Sequence, residues 1–279
     1  KFVLQRADIF AYAGVQLLSK LNIDTLVFGS ENPDLMRYPE SDWTLLENGT
    51  SFAKAGNQNQ LHPNEILGAF YQKHAQKNNI QPRPIKRIQN DYHSLDLQGT
   101  ISSATAIRKA YWNQKDYTLA TPMILEAMDT FDIEAFMPFI KAKIIQTPQS
   151  EMKKYMLMDE GIENLFKKLA EDPRKDLIKD AVSKRYTQSR IQRTLMNFYL
   201  GILKHDNQLP SHARVLGATR KGLNYLGNIK GSGQYVSRFQ DYPLQQEELR
   251  FTMLYGIVKD KKTQEKLIQE ELSFPIILK

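Results

Sequence analysis

A basic pair and a hydroxyl-rich segment form the most chemically suggestive part of the sequence. Lys86 and Arg87 end a short apolar-flanked stretch that begins at Pro84, and the run SSATAIRK follows after a loop. Ammonium and guanidinium groups bind phosphate oxygens, and the free N–H groups at a helix start attract anions. Residues 80–112 therefore predict a nucleotide-phosphate site.

The hydroxyl-rich run is itself a predicted helix start. Ser102 or Ser103 is suited to cap a helix over residues 104–113, because a side-chain oxygen there accepts a backbone N–H of the first turn. The hydroxyls of Ser103 and Thr105 and the guanidinium of Arg108 would then surround one anion. An ordinary capped surface helix has the same pattern, so this segment alone does not decide between the two.

Two short apolar runs must position these groups. Residues 24–28 are typical of a buried parallel strand, residues 84–88 of a short strand, and residues 7–21 have the spacing of an amphipathic helix. Gly29 follows the first strand, where its bare backbone N–H can approach a ligand at the carboxyl edge of an open α/β sheet. The alternative is a glycine that only the turn requires.

A further helix is predicted over residues 63–73, with Asn64 in its first turn. An asparagine at that position commonly caps a helix, so its presence alone indicates no ligand. Another helix is predicted over residues 119–128. We place a domain boundary close to Thr121, which gives an α/β domain over residues 1–121 and a second domain over residues 122–279.

The second domain is predicted to be almost entirely helical, because apolar residues recur there at spacings of three and four. The predicted helices cover residues 136–146, 154–160, 161–170, 177–183, 187–204 and 241–254.

Two basic clusters in that domain are candidates for RNA phosphate. They comprise Lys184, Arg185, Arg190 and Arg193 around Tyr186, and Arg220 with Lys221. Arginines beside an aromatic ring are suited to phosphates and an unstacked base. A solvated helix face has the same composition, and the two interpretations are about equally supported.

The amino-acid composition limits the possible partners, metal sites and location of the protein. The net charge of +7 and pI near 9.3 favour a polyanionic partner, although a basic surface can also serve solubility alone. The absence of cysteine excludes disulfides and thiolate metal sites, and the five histidines lack metal-ligand spacing, so we predict no protein-held metal. No apolar run is long enough to span a membrane. We therefore expect a cytoplasmic protein.

Several segments occur together in an order that resembles a known family. They are RADIFAYAGV (6–15), DTLVFGSEN (24–32), PNEILG (63–68), IKR (85–87), SSATAIRK (102–109) and KRYTQSRIQR (184–193). In this combination the chain resembles the bacterial tRNA(Met) cytidine acetate ligases, which belong to the HxGH superfamily of adenylyl-transferring α/β enzymes.

This resemblance implies a fold, a reaction and a set of ligands. The fold would be a partial Rossmann-like nucleotidyltransferase domain with a parallel sheet, followed by a mostly α-helical domain. ATP, with Mg2+, would activate acetate as acetyl-adenylate, and N4 of the wobble cytidine of elongator tRNA(Met) would receive the acetyl group. The implied ATP ligands are Gly29, Asn64, Lys86, Arg87, Ser103, Thr105 and Arg108. The implied tRNA ligands are Lys184, Arg185, Arg190, Arg193, Arg220 and Lys221.

The chain departs from the family at its start. The family opens with a strand and a loop that carries the HxGH histidines, and no histidine pair here has that spacing. We therefore expect an amino-terminal unit to be missing and name no catalytic residue. Residues 31–61 are short and irregular for the family, which suggests omitted segments there. A nucleotidyltransferase acting on a small phosphorylated metabolite and a noncatalytic RNA-binding protein remain the alternatives.

Overall fold

The computed structural model describes residues 2–33, 40, 55–87, 97, 99–122, 131–206 and 209–278. The first half consists of α1 (Ala7–Lys20), β1 (Thr25–Ser30), α2 (Pro63–Lys77), β2 (Gln81–Lys86) and α3 (Ala104–Trp112). The predicted helices over residues 7–21, 63–73 and 104–113 and the strand over residues 24–28 are thus confirmed. The predicted strand at 84–88 begins earlier than expected, and Ile88 lies outside the described residues.

The strands β1 and β2 pair in parallel, with Gly29 opposite Ile85 and Ser30 opposite Lys86. Helices α1 and α2 pack against each other, and α2 also contacts both strands. A small apolar cluster of Val15, Ala75 and Ile80 lies beneath them. Because neighbouring parallel strands end at the same edge of a sheet, Gly29 and the Lys86–Arg87 pair are brought together.

The second half contains the larger core. Its elements are α4 (Met137–Gln146), α5 (Gln149–Met152), α6 (Ile162–Glu171), α7 (Gln188–Leu200), α8 (Arg220–Asn228), α9 (Gln245–Gly256) and α10 (Lys261–Leu272). Helix α7 lies at the centre, since its residues 194–199 are all buried. Phe136, Phe166 and Phe198 fill the space around it and are essentially inaccessible. The described helices include none with the length and apolarity that crossing a membrane requires.

Two helices predicted in this half were wrong. Residues 154–160 form turns, because Leu157 and Glu160 adopt positive φ angles of 63° and 60° and the backbone N–H of Met156 bonds to the carbonyl of Ile202. Residues 177–183 contain only a short 3-10 helix, Lys179–Ala181. The carboxylate of Asp176 accepts the N–H groups of residues 178 and 179 and closes a tight turn there. The predicted helix at 119–128 lies largely outside the described residues.

The parallel pairing of the short strands in this half was not predicted. β3 (Ala213–Arg214) pairs with β5 (Tyr235–Val236), and β4 (Gly217–Thr219) pairs with β6 (Ile276–Leu278). A short strand or turn that leads into a helix start is the prediction for residues 214–223, and it is confirmed by β4 and α8. Strands of two or three residues are too short to show alternation, which explains why the sequence pattern did not reveal their pairing. Arg214 supports this region, since its guanidinium bonds to Glu248 at 2.9 Å and also to Glu271, and lies over the ring of Phe239.

Helix α1 joins the two halves at both of its ends. Before its start, the carbonyl of Gln5 accepts from Arg193 at 3.0 Å, and the Gln5 amide donates to Asn197 at 3.2 Å. At its end, the carbonyl of Lys20 accepts the N–H of Gln234 at 2.7 Å. The hydroxyl of Tyr225 donates to the carbonyls of Leu21 and Asn22 at 2.8 and 2.9 Å.

A partly buried lysine gives the second half a predicted pH dependence. Lys143 of α4 donates to the carbonyls of Phe198 and Tyr199 in the last turn of α7, at 2.6 and 3.3 Å. Burial, and then the charge of Arg250, lowers the pKa of Lys143 from 10.5 to about 8. The unfolded chain therefore binds this proton more tightly, so the stability of the wild type should rise from pH 8 to pH 10.5 relative to Lys143→Met.

Urea unfolding across that pH range measures this difference. Lys141→Met on the same helix is the control. If the wild type and Lys143→Met had parallel stability profiles, the interpretation would be wrong.

Candidate nucleotide site and basic surfaces

The carboxyl edge of the β1–β2 pair fixes the position of Arg87. The backbone N–H of Arg87 donates to the carbonyl of Ser30 at 3.0 Å, which extends the parallel ladder by one residue beyond β2. Lys86 and Arg87 are both exposed at this edge. The sequence-based prediction that these two cations lie at a strand end is confirmed.

Gly29 provides the space into which Arg87 extends. A Cβ atom at Gly29 would lie 3.4 Å from Cγ of Arg87 and 3.9 Å from its Nη1. Gly29 lies inside β1 and its φ is not positive, so neither a turn nor an unusual backbone angle requires it. These Cβ distances are ordinary van der Waals contacts, so the side chain of Arg87 lies directly against Gly29. Gly29 itself is exposed, so its backbone is accessible to a ligand at this edge of the sheet.

Glu31 connects Asn64 to the same edge. One carboxylate oxygen of Glu31, Oε1, lies 3.3 Å from Nε of Arg87 and accepts from Nδ2 of Asn64 at 3.0 Å. The residue that caps α2 is His62, whose backbone N–H donates to Glu65 at 2.9 Å. The capping interpretation of Asn64 is therefore excluded, and its amide is held at the sheet edge instead.

This arrangement has unused capacity to bind an anion. Within the described residues, the Nη groups of Arg87 make no hydrogen bond or ion pair, and the side chain is 36% exposed. Guanidinium N–H groups in a fixed fork match the oxygens of a phosphate. Together with the exposed backbone at Gly29, they can hold a nucleotide phosphate at the strand ends.

The start of α3 supplies the other predicted phosphate group. Ser103 is the N-cap residue, is 8% exposed and accepts the N–H of Ala106 at 3.0 Å. Of the two capping candidates, the structure thus selects Ser103. Thr105 is half-buried and Arg108 is exposed. Most of the loop that leads to this helix, residues 88–96 and 98, lies outside the described residues, and the role of α3 in phosphate binding stays a prediction.

The first basic cluster is partly occupied by contacts within the protein. Arg190 pairs with Glu160 at 3.1 Å and lies over the ring of Tyr186. Tyr186 is only 7% exposed and its hydroxyl donates to the carbonyl of Glu160, so the suggestion that this ring stacks on an RNA base was wrong. The ring is part of the helical core.

Arg193 has structural partners as well. Its Nε donates to the carbonyl of Ser189 at 3.2 Å and its Nη1 to that of Gln5 at 3.0 Å. Burial, followed by the charges of Arg190 and Arg6, lowers its pKa. Contact of Arg190 or Arg193 with tRNA stays a prediction, but both side chains also stabilise the fold.

The remaining basic candidates are more accessible. Lys184 is exposed and Arg185 is partly exposed just before Thr187, which caps α7 as predicted. Arg220 and Lys221 are exposed in the first turn of α8. Lys184, Arg220 and Lys221 can therefore approach a polyanion without disturbing the core, whereas Arg185 also interacts with Tyr186.

Comparisons with known proteins identify the family of this chain. Residues 1–270 match the family model for the HIGH Nucleotidyl Transferases. The tRNA(Met) cytidine acetate ligase of Mycoplasmopsis synoviae is 40% identical over 72% of this chain and 74% of its own length. The enzyme of that name from Geobacillus sp. (strain WCH70) is 28% identical over 99% of this chain and 82% of its own.

Solved structures share the fold. The crystal structure of apo Thermotoga maritima TmcAL superposes with a TM-score of 0.79 at 22% identity, over 98% of this chain and 82% of that one. A second form, bound with alpha-thio ATP, has a TM-score of 0.75 at 23% identity and covers 98% and 81% of the two chains. The predicted nucleotidyltransferase-like α/β fold is thus confirmed. The chain belongs to the HIGH nucleotidyl transferase family and, within it, to the family of the tRNA(Met) cytidine acetate ligases.

Proposed function

We propose that this enzyme uses ATP to activate acetate as acetyl-adenylate and then acetylates N4 of the wobble cytidine of elongator tRNA(Met). Family membership supports the reaction, and the alpha-thio ATP bound to Thermotoga TmcAL supports the nucleotide. The observation that carries the proposal is the convergence of Gly29, Asn64 and Arg87 at one edge of the parallel sheet. The same proposal places the protein in the cytoplasm with its tRNA.

The chemistry explains why cations are needed there. An oxygen of acetate attacks the α-phosphorus of ATP, the bond to the β-phosphate breaks, and pyrophosphate leaves. The cytidine N4 then attacks the acetyl carbon, AMP leaves, and the amine loses a proton. Because acetate and ATP are both negatively charged, the first step requires groups that offset their repulsion. Arg87 and Lys86 supply positive charge at the strand ends.

We place the triphosphate between that edge and the start of α3. Gly29, Asn64, Lys86 and Arg87 would bind it from the strands, and Ser103, Thr105 and Arg108 from the helix. Mg2+ would enter with ATP as its phosphate complex, because this ion is usually held by substrate phosphates together with one or two carboxylates.

Acetate-dependent pyrophosphate release tests this function directly. The assay combines the protein with ATP, Mg2+ and acetate, with or without elongator tRNA(Met), and mass spectrometry of the digested tRNA detects N4-acetylcytidine. Pyrophosphate released with a phosphorylated metabolite, and not with acetate, would instead indicate a small-molecule nucleotidyltransferase. An RNA-binding protein without enzymatic activity would consume no ATP.

The tRNA surface can be tested separately from ATP. We expect the triple variant Lys184→Ala, Arg220→Ala, Lys221→Ala to bind tRNA more weakly, with acetate-dependent ATP use unchanged. Each lost phosphate contact should reduce the slope of log K against log salt by ~0.7 to ~0.9. Filter binding at several salt concentrations measures that slope.

The control removes three other exposed lysines, Lys168, Lys261 and Lys262. An equal loss of tRNA affinity in both triple variants would show that net charge alone, and not this surface, binds the RNA.

A further inference from the structure

We infer that Glu31 is a positioning residue for ATP, an inference that rests on the proposed function. Its Oε1 contacts two predicted ATP ligands at once, Nε of Arg87 at 3.3 Å and Nδ2 of Asn64 at 3.0 Å. These ligands come from different elements, since Arg87 follows β2 and Asn64 lies in α2. A single carboxylate oxygen therefore sets their relative position.

The geometry of the contact leaves the binding groups available. Glu31 approaches the Nε side of Arg87, while Nη1 lies toward Gly29 and, among the described residues, neither Nη group has a partner. An arginine side chain that binds nothing samples many rotamers, and ordering it on binding costs affinity. Glu31 holds the fork in one orientation before the phosphate arrives.

Electrostatic repulsion alone predicts the opposite effect of Glu31 on ATP affinity. A carboxylate next to a phosphate repels it, so a Glu31 that only lay nearby would weaken ATP binding and its removal would strengthen it. Side chains exposed by 36% and 32% are well solvated, which reduces both this repulsion and any contribution of the pair to folding stability. The orienting effect on Arg87 and Asn64 should therefore dominate.

The ATP affinity of Glu31 variants shows whether removing this carboxylate weakens or strengthens binding. We expect Glu31→Ala to raise the Kd for ATP by ~10-fold or more, because two ligands lose the shared acceptor. Glu31→Gln retains an acceptor oxygen without the charge and should recover part of the affinity. The midpoint of thermal unfolding without ATP should stay close to that of the wild type in both variants.

A double-mutant cycle shows whether Glu31 acts through Arg87. If it does, Glu31→Ala should cost less affinity in an Arg87→Ala background than in the wild type, because only the contact with Asn64 remains to be lost, so the two losses will not add. Glu151→Gln is the matched control, since it breaks an exposed ion pair with Lys154 at 2.7 Å and should leave the Kd unchanged.

The same isothermal titrations separate the two proposals. No ATP binding by the wild type would overturn the proposed function and this inference together. Wild-type binding with unchanged or tighter binding by Glu31→Ala would overturn the inference alone. Additive losses in the cycle would also overturn it, because Glu31 would then act independently of Arg87.

Discussion

Arg87→Ala is expected to weaken ATP binding by roughly 100-fold, since truncating one side of a hydrogen-bonded charge pair that ligand binding buries costs on the order of 2 to 5 kcal/mol. The variant removes the guanidinium beside Gly29 and leaves the carboxylate of Glu31 facing the phosphates without its cation. Isothermal titration with ATP and Mg2+ measures the loss. Acetate-dependent pyrophosphate release should fall with it.

Two control variants make this result specific. Arg87→Lys retains the charge and loses the planar fork, so it should recover only part of the affinity. Arg83→Ala removes an exposed arginine on the same face of β2, about 13 Å farther along the strand, and should have no effect. Normal ATP affinity in Arg87→Ala would place the nucleotide elsewhere on the protein.

Phe198→Ala should lower the free energy of unfolding by ~3 to ~5 kcal/mol, the usual cost of emptying a buried phenylalanine site. Phe198 is fully buried on α7, meets the ring of Tyr155 at 4.7 Å between centroids, and lies beneath the ammonium of Lys143. Scanning calorimetry and urea unfolding measure the change. The cavity left by the ring lies in the apolar core, where water cannot replace the lost contacts.

Phe139→Ala is the matched control, because Phe139 is 41% exposed on α4 and its removal empties no cavity. The same pair of variants tests the predicted boundary near Thr121. If residues 1–121 and 122–279 are separate domains, Phe198→Ala will shift one calorimetric transition, and ATP will raise the other. A single transition that responds to both changes would contradict the division.

The candidate site could be predicted from the sequence better than the rest of the chain. Runs of apolar residues before Gly29 and Arg87 predicted two parallel strand ends, and capping chemistry predicted the start of α3 at Ser103. These signals are local, since each depends on a few neighbouring residues. The contacts of Glu31 with Arg87 and Asn64 could not be predicted, because they join elements that are distant in sequence.

The structure of the helical half was harder to predict, because it depends on tertiary contacts that a local sequence pattern does not contain. Residues 154–160 have apolar spacing compatible with a helix, yet pairing with Leu203 pulls the backbone into turns. Arg190 and Arg193 were expected to face solvent, but Glu160 and Gln5, distant in sequence, accept their hydrogen bonds. The very short strands β3 to β6 form only because remote segments meet. Tertiary contacts decided each of these cases.

The attachment of α1 at both ends limits how this protein can move. Helix α1 is hydrogen-bonded to the second half near both ends, through Arg193 and through Tyr225, so it cannot rotate about a single hinge. Since β1 follows α1 within a few residues, the strand ends keep a constant orientation toward the second half. For the proposed reaction, we therefore expect the wobble base to turn out of the anticodon loop toward the strand ends, rather than the two halves of the protein to close on it.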